Sequence, residues 1–295
     1  MATSVASGAL RHQAEEIAAQ LPPLLVEAER VAVTVQQGVH GRRRVGQGET
    51  FWQFRQYVPG EPAQRIDWRE SARSERLFVR ETEWEASESV WIWRDTSPSM
   101  NYASSAQLAT KRRRADLLSL ALAALLIRGG ERVTLLGSGL TPGTGSTVLN
   151  RLSLLIERGE APGSGIPAIE QLPRYGQLVL LGDLLEPLDE IDAVMRRYAA
   201  MGVKGHLLQI LDPVEETLPF GGRVRFESLE NESALLLSRV ETVREQYEQR
   251  LRRHRDGLMA LTQALGWSFA THRTDRPPTT ALLALYVALA RETWR

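Results

Sequence analysis

From residue 89 onward, a short run apolar on both faces is repeatedly followed by a longer amphipathic stretch. SVWIW (89–93), ERVTLLG (131–137), QLVLLG (177–182), VKGHLLQIL (203–211) and WSFATH (267–272) read as strands. QLVLLG in particular lacks polar alternates, as a parallel strand buried on both sides requires. Residues 105–128, two short stretches ahead of 177, 187–201 and 279–292 read as helices. A long helix carries Val240, Val243, Tyr247, Leu251, Leu258, Leu261 and Leu265 along one face at helical spacing. Such alternation predicts an α/β fold: a doubly wound, mainly parallel sheet with helices on both faces.

Upstream the pattern is different. Residues 1–37 form an N-terminal segment, mildly amphipathic over 9–37 and punctuated by Pro22-Pro23, which reads as partly helical. Residues 38–88 are rich in Arg, Glu, Gly and aromatics and show no long helical period, while RLFVRETEW alternates as a strand does. They predict a small β-rich appendage ahead of an α/β domain at 89–295.

Composition narrows the function classes. Lys+Arg and Asp+Glu are both 36, so net charge exerts no pull toward nucleic acid, and the basic clusters are local. Those at Lys111–Arg114 and along 250–255 read as solvated helix faces; Arg42–Arg44 could dock an acidic partner. Without cysteine there are no disulfides, thiolate metal sites or thiol nucleophiles. The N-terminus lacks a signal-peptide apolar core, and LLSLALAALLI (117–127) and ALLALYVALA (281–290) are too short to span a bilayer. A soluble, cytoplasmic protein is expected.

Candidate chemistry sits where strands end. In an open α/β sheet, ligands bind beyond the carboxyl ends of the strands, where strand order reverses. Asp95 follows VWIWR and Asp183 follows LVLLG. If the first and fourth core strands are neighbours, both carboxylates reach one crevice, with Ser97 and Ser99 on the Asp95 loop. Two carboxylates with hydroxyls make a hard-oxygen environment suited to Mg²⁺ or Mn²⁺. The same residues also suit a plain turn or helix cap. Asp183, in matching topological position, favours the metal-type site.

The string Asp95-Thr96-Ser97-Pro98-Ser99 resembles the D-x-S-x-S of von Willebrand factor A domains, which bind Mg²⁺ at a metal-ion-dependent adhesion site. Ahead of it stand Arg55, Tyr57, Pro59-Gly60-Glu61, Arg65-Ile66-Asp67-Trp68 and Ala72-Arg73. This block is similar to that of the "domain of unknown function 58" family, which places it before a von Willebrand A-like domain; the resemblance continues through DPVEETLPFGG (212–222). It implies a von Willebrand factor A-like fold and a metal held by Asp95, Ser97, Ser99, Ser164 and Asp183. Ser164 stands for the family's threonine and Asp183 for its fourth-strand aspartate. It also implies a non-enzymatic interaction module acting with a MoxR-type AAA+ ATPase, and with other von Willebrand A-domain proteins, in a chaperone-like or complex-maturation role.

Arg94 would be costly to bury unpaired; an ion pair with a carboxylate of the appendage, as in the Glu-rich 81–88 stretch, is favoured over a place beside the aspartates where it would partly replace the metal's charge. Arg55, Arg65, Asp67 and Arg73 are expected to pin the appendage to the sheet edge. The glycine-rich 137–147 loop contains no lysine and is no P-loop; it reads as a flexible loop near the crevice mouth. The five histidines show no ligand spacing. A phosphoryl-transfer or hydrolytic enzyme using Asp95 is the alternative, poorly equipped because neither Lys111 nor Lys204 has an obvious place in the crevice.

Overall fold

The computed structural model describes residues 44–46, 50–57, 66–73, 76–84, 89–158, 163, 165–227, 229 and 235–293. The helical reading of 9–37 and the candidate ligand Ser164 lie outside them. The described residues belong to two compact units, one within 23–87 and one within 88–292.

In the first unit, β1 (Arg44–Gly46), β2 (Thr50–Gln56) and β3 (Phe78–Trp84) form an antiparallel sheet of order β1-β3-β2, with a register shift between Phe51 and Gln53. Four residues, α1 (Trp68–Ser71), make a helical turn before β3. The sequence block explains this corner. Ile66 is buried and bridges to buried Val79. Asp67 accepts the Arg69 amide at 3.1 Å inside the turn; its own amide donates to Phe78 O at 2.8 Å, and Ser71 Oγ accepts the Phe78 amide at 2.8 Å, so both ends of α1 are tied to the start of β3. Arg65 and the side chain of Arg55 lie outside the description.

The second unit carries five parallel strands: β4 (Ser89–Arg94), β5 (Arg132–Leu135), β6 (Gln177–Gly182), β7 (Lys204–Leu211) and β10 (Ser268–Arg273). Their order is β10-β7-β6-β4-β5. Counted from β4 this is 2-1-3-4-5, a doubly wound order whose switch point lies between the first and third strands. The doubly wound parallel sheet is therefore as expected. One detail differs. Asp183 ends the third strand, not the fourth, and the first and third strands are direct neighbours.

Helices cover both faces. Trp91 and Trp93 of β4 pack in one core with Leu178, Leu180 and Leu207, against Ile191, Met195 and Tyr198 of α4 (Leu188–Ala200) and Leu258 of α6 (Glu241–Leu265). The alternate positions of β4, Val90 and Ile92, are equally buried on the face covered by α2 (Lys111–Arg128). α3 (Ser146–Arg158) is the one helix described between β5 and β6, where two were expected. α2 starts at Lys111, with Thr110 capping it through the Arg113 amide at 3.1 Å, so residues 105–110 are not helical. The 137–147 loop folds back on edge strand β5 through a Val133–Gly143 bridge. A short helix α5 (Pro213–Thr217), a hairpin of β8 (Val224–Phe226) and β9 (Leu235–Leu237), and a last helix α7 (Pro278–Thr293) complete the unit. Among the described residues no helix is long and apolar enough to cross a membrane.

Close packing fixes where the strands can lie. Gly205 of β7 passes directly beneath the Trp267 indole; a Cβ there would stand 1.9 Å from a ring carbon. The indole and the strand thus occupy space that any larger residue at 205 would claim.

Candidate functional site

Asp95 is placed by the ladder that precedes it. β4 and β6 run parallel with Arg94 opposite Leu181, and the Asp95 amide adds one more bond, donating to Leu181 O at 2.8 Å. The first and third strands therefore deliver Asp95 and Asp183 to one crevice at the switch point. Gly182 permits the approach. A Cβ at 182 would stand 2.8 Å from Asp95 Cβ and 3.0 Å from its Oδ2.

The loop after Asp95 is both a turn and a cup. Asp95 Oδ1 accepts the Ser97 amide at 2.8 Å, which closes the turn into a 3-10 segment, Pro98–Asn101. Ser97 precedes that segment without making a side-chain cap. The hydroxyls point elsewhere: Ser97 Oγ lies 3.0 Å from Ser99 Oγ, and Ser99 Oγ donates to Asp183 Oδ2 at 2.7 Å. Asp95 Oδ2 is buried with no hydrogen-bond partner among the described residues. An unpartnered buried carboxylate oxygen is costly and signals either an absent ligand or a proton. Burial, with Asp183 next in importance, pushes the Asp95 carboxyl up to about 6, although the Ser97 bonds and Lys111 oppose the shift.

The structure brings Asp95, Ser97, Ser99 and Asp183 together and adds a residue the sequence reading placed elsewhere. Lys111, first residue of α2, is fully buried. Its ammonium donates to Asp183 Oδ2 at 2.9 Å and to Glu215 Oε1 at 2.6 Å. Burial works to lower its pKa, but the carboxylates of Asp183 and Glu215 outweigh that and raise it. A cation at a helix N-terminus is opposed by the macrodipole, so these two acids are what hold it there. The Lys111–Arg114 cluster is thus no solvated face: Lys111 and Arg114 are buried, and Arg114 donates to the carbonyls of Thr274 and Arg276 at 2.7 and 3.1 Å.

Glu215 is itself fixed. Asp212 caps α5 by accepting the Val214 amide at 2.9 Å, and Glu215 Oε2 accepts the Asp212 amide at 2.8 Å, a reciprocal capping box. The other Asp212 oxygen accepts the Ser104 amide at 2.9 Å. Burial raises the Glu215 pKa in spite of Lys111. Next to it, Glu216 pairs with Arg255 of α6 and, at 3.4 Å, with Arg273. Arg255 donates to Gln209 at 2.7 Å, and Gln209 donates to the Asp183 carbonyl at 2.9 Å. His254, also on α6, bonds to Leu184 O at 2.7 Å. Leu184 is buried and sits in the left-handed region at φ 51°, which favours glycine. Its burial and the His254 contact hold that backbone.

Arg94 pairs farther along α2, the helix that supplies Lys111 to the crevice. Its Nη1 lies 2.9 Å from Asp116 Oδ1 of α2, and Nη2 donates to Ile156 O at 3.4 Å. The ion pair was expected; among the described residues its carboxylate is that of Asp116 on α2, and the side chains of 81–88 lie outside the description. The Asp116 contact is a close meeting of charges without an aligned hydrogen bond. His206 bonds to Ser268 and Gln177 inside the core, where burial pushes it down to about 4, and His272 is displaced likewise to about 4; both are packing residues. Among the described residues no group of three or more His, Cys, Asp or Glu side chains is arranged to hold a metal.

Comparison with known proteins fits this description. A family model, "Protein of unknown function DUF58", matches residues 53–257, most of the chain. The chain belongs to the DUF58 family. Relatives include the "Uncharacterized protein Rv1480" of Mycobacterium tuberculosis and "Uncharacterized protein Mb1516" of Mycobacterium bovis. Each is 24% identical over 279 residues, covering 88% of this chain and 86% of the relative. Two solved structures are weakly similar in shape, both at a TM-score of 0.39 and 14% identity. One is an aerotolerance-related membrane protein from Bacteroides fragilis, covering 69% of this chain and 99% of its own. The other is BatB from Bacteroides thetaiotaomicron, covering 70% and 100%.

Within this DUF58 chain, the sequence carried two signals for the missed residues. Lys111 shares the helical stripe of Ala115, Leu118 and Leu122, all buried, so its spacing marks an inward position. Asp212 followed three residues later by Glu215 is a capping-box pattern. Gly163, next to Ser164, abuts the Thr96 carbonyl, where a Cβ would stand at 3.1 Å.

Proposed function

We propose that this DUF58 protein is a non-enzymatic interaction and assembly module whose docking point is the Asp95 cup, with Mg²⁺ or Mn²⁺ as its ion. The observation that carries the reading is Asp95 Oδ2, buried and without a hydrogen-bond partner among the described residues, beside two hydroxyls and a second carboxylate. The hydroxyl spacing suits the ion: oxygens about 2.1 Å from Mg²⁺ in octahedral geometry lie about 3 Å apart along an edge, and Ser97 Oγ and Ser99 Oγ are 3.0 Å apart. Asp95, Ser97, Ser99 and Asp183 would hold the ion, with Ser164 as the oxygen donor expected from the adhesion-type pattern. When bound, the ion supplies a Lewis-acidic position open to a partner's carboxylate. The family resemblance suggests a MoxR-type AAA+ ATPase as that partner, in a chaperone-like or complex-maturation role.

Lys111 gives the phosphoryl-transfer alternative a lysine in the crevice. That ammonium is buried and shared between two carboxylates, which leaves it poorly placed to receive phosphate. The +2 position remains Ser97.

Thermal unfolding with and without Mg²⁺ or Mn²⁺ tests the site, in the native chain and in Asp95→Ala. An ion at about 100 times its Kd stabilises by about 2.7 kcal/mol, a rise of about 5 °C or more for a domain this size. No rise in the native chain, or an equal rise in Asp95→Ala, would remove the cup from the proposal. Mg²⁺-dependent phosphomonoester turnover lost in Asp95→Asn would replace it with the enzyme reading.

A further inference from the structure

We propose that Lys111 is the resident counter-cation of the cup: its ammonium holds Asp183 when no divalent ion is bound, and yields it to an arriving ion while keeping Glu215. The inference rests on the adhesion-type reading above and adds a residue that sets the site's cation affinity.

The geometry points one way. Lys111 is fully buried, so its charge must be satisfied inside the protein whatever else occupies the crevice. It touches two acids of unequal kind. Asp183 Oδ2, at 2.9 Å, also accepts from Ser99 and therefore belongs to the cup. Glu215 Oε1, at 2.6 Å, belongs to α5, where the capping box anchors the same carboxylate through its other oxygen. An ion drawn to Asp183 meets a like charge bonded to the same oxygen, and a dry site screens that repulsion poorly. The shorter bond to an anchored acid gives the ammonium somewhere to remain. Without the ion, Asp183 is not left as a bare buried carboxylate. With it, Lys111 is not left as a bare buried ammonium.

The exchange reaches beyond the cup. The residue after Glu215 is Glu216, held by Arg255 and Arg273, and Arg255 returns through Gln209 to the Asp183 carbonyl. A change in how Lys111 divides itself therefore acts on α5 and on the loop after β6.

Mn²⁺ binding to the full chain, read by electron paramagnetic resonance of the free ion, provides the test. Lys111→Met should bind about tenfold more tightly than the native chain, since the competing charge is gone. Glu215→Gln should bind about threefold more weakly, because Lys111 then has Asp183 as its only full counter-charge. Arg112→Met, which removes a neighbouring positive charge not bonded to the cup, should change affinity by less than about twofold. Native-like or weaker binding by Lys111→Met, with the native chain binding, overturns the counter-cation role and leaves the metal cup standing. Binding by Lys111→Met alone shows that Lys111 does not yield Asp183, and overturns both the exchange and the metal reading for the native chain. No binding by any form at millimolar Mn²⁺ overturns both. Should Lys111→Met fail to fold, Glu215→Gln decides: unchanged or tighter binding overturns the proposal.

Discussion

Asp95→Asn in metal-free protein should raise stability at neutral pH, an unusual result for replacing a buried polar residue in a site. Asp95 is fully buried, and its carboxyl is raised from an ordinary 3.8 to about 6. Because the folded chain holds that proton more tightly than the unfolded chain, stability falls as pH rises from about 4 to about 6, then stays level. A displacement of about two pH units at 1.36 kcal/mol each makes the ionised group cost about 3 kcal/mol above pH 6. Asparagine keeps the acceptor for the Ser97 amide and removes the charge that burial and Asp183 disfavour. Urea unfolding in EDTA, repeated between pH 4 and 8, checks this. The advantage of Asp95→Asn should be small near pH 4 and grow to about 2–3 kcal/mol by pH 7. A difference independent of pH, or a native chain more stable than the variant at pH 7.5, would refute the reasoning. Mg²⁺ should then narrow the gap by stabilising only the native chain.

Further outcomes follow from the packing. Arg94→Ala should cost about 2–3 kcal/mol by taking the close counter-charge from the partly buried Asp116, whereas Arg94→Met combined with Asp116→Leu should cost about 1 kcal/mol or less; urea midpoints measure both. Gly205→Ala, whose Cβ would stand 1.9 Å from the Trp267 ring, should cost about 1–3 kcal/mol by overpacking, with Trp fluorescence reporting the displaced indole.

The sheet was legible because buried parallel strands leave a plain mark: QLVLLG has no polar alternate, and all six positions of β6 are buried. Asp95 and Asp183 were legible for the same reason, as the first acids after such runs. Strand order was not, because it depends on which crossovers run to which side, and the residues of β6 fit a third or a fourth strand equally well. Lys111 was missed because charge outweighed position. Within KRRR a four-residue basic run hides two inward and two outward residues, and only the apolar stripe that follows reveals which is which. Asp116 was not read as a partner of Arg94 because contact across a strand–helix pair leaves no trace in local spacing; it lies 22 residues on.

The cup hangs from strands in the middle of the sheet. β4 and β6 each have neighbours on both sides, so no edge can peel away and carry Asp95 or Asp183 with it. Backbone amides such as those of Asp95 and Ser97 should exchange with solvent hydrogen only when the whole unit opens. α5 is different, a helix of five residues with no buried side chain. Its amides can open alone, and the ion pairs of Glu215 and Glu216 would break with them. Slow deuterium uptake at 95–97 beside fast uptake at 214–217 would mark α5 as the movable part of a site whose carboxylates are otherwise fixed in place.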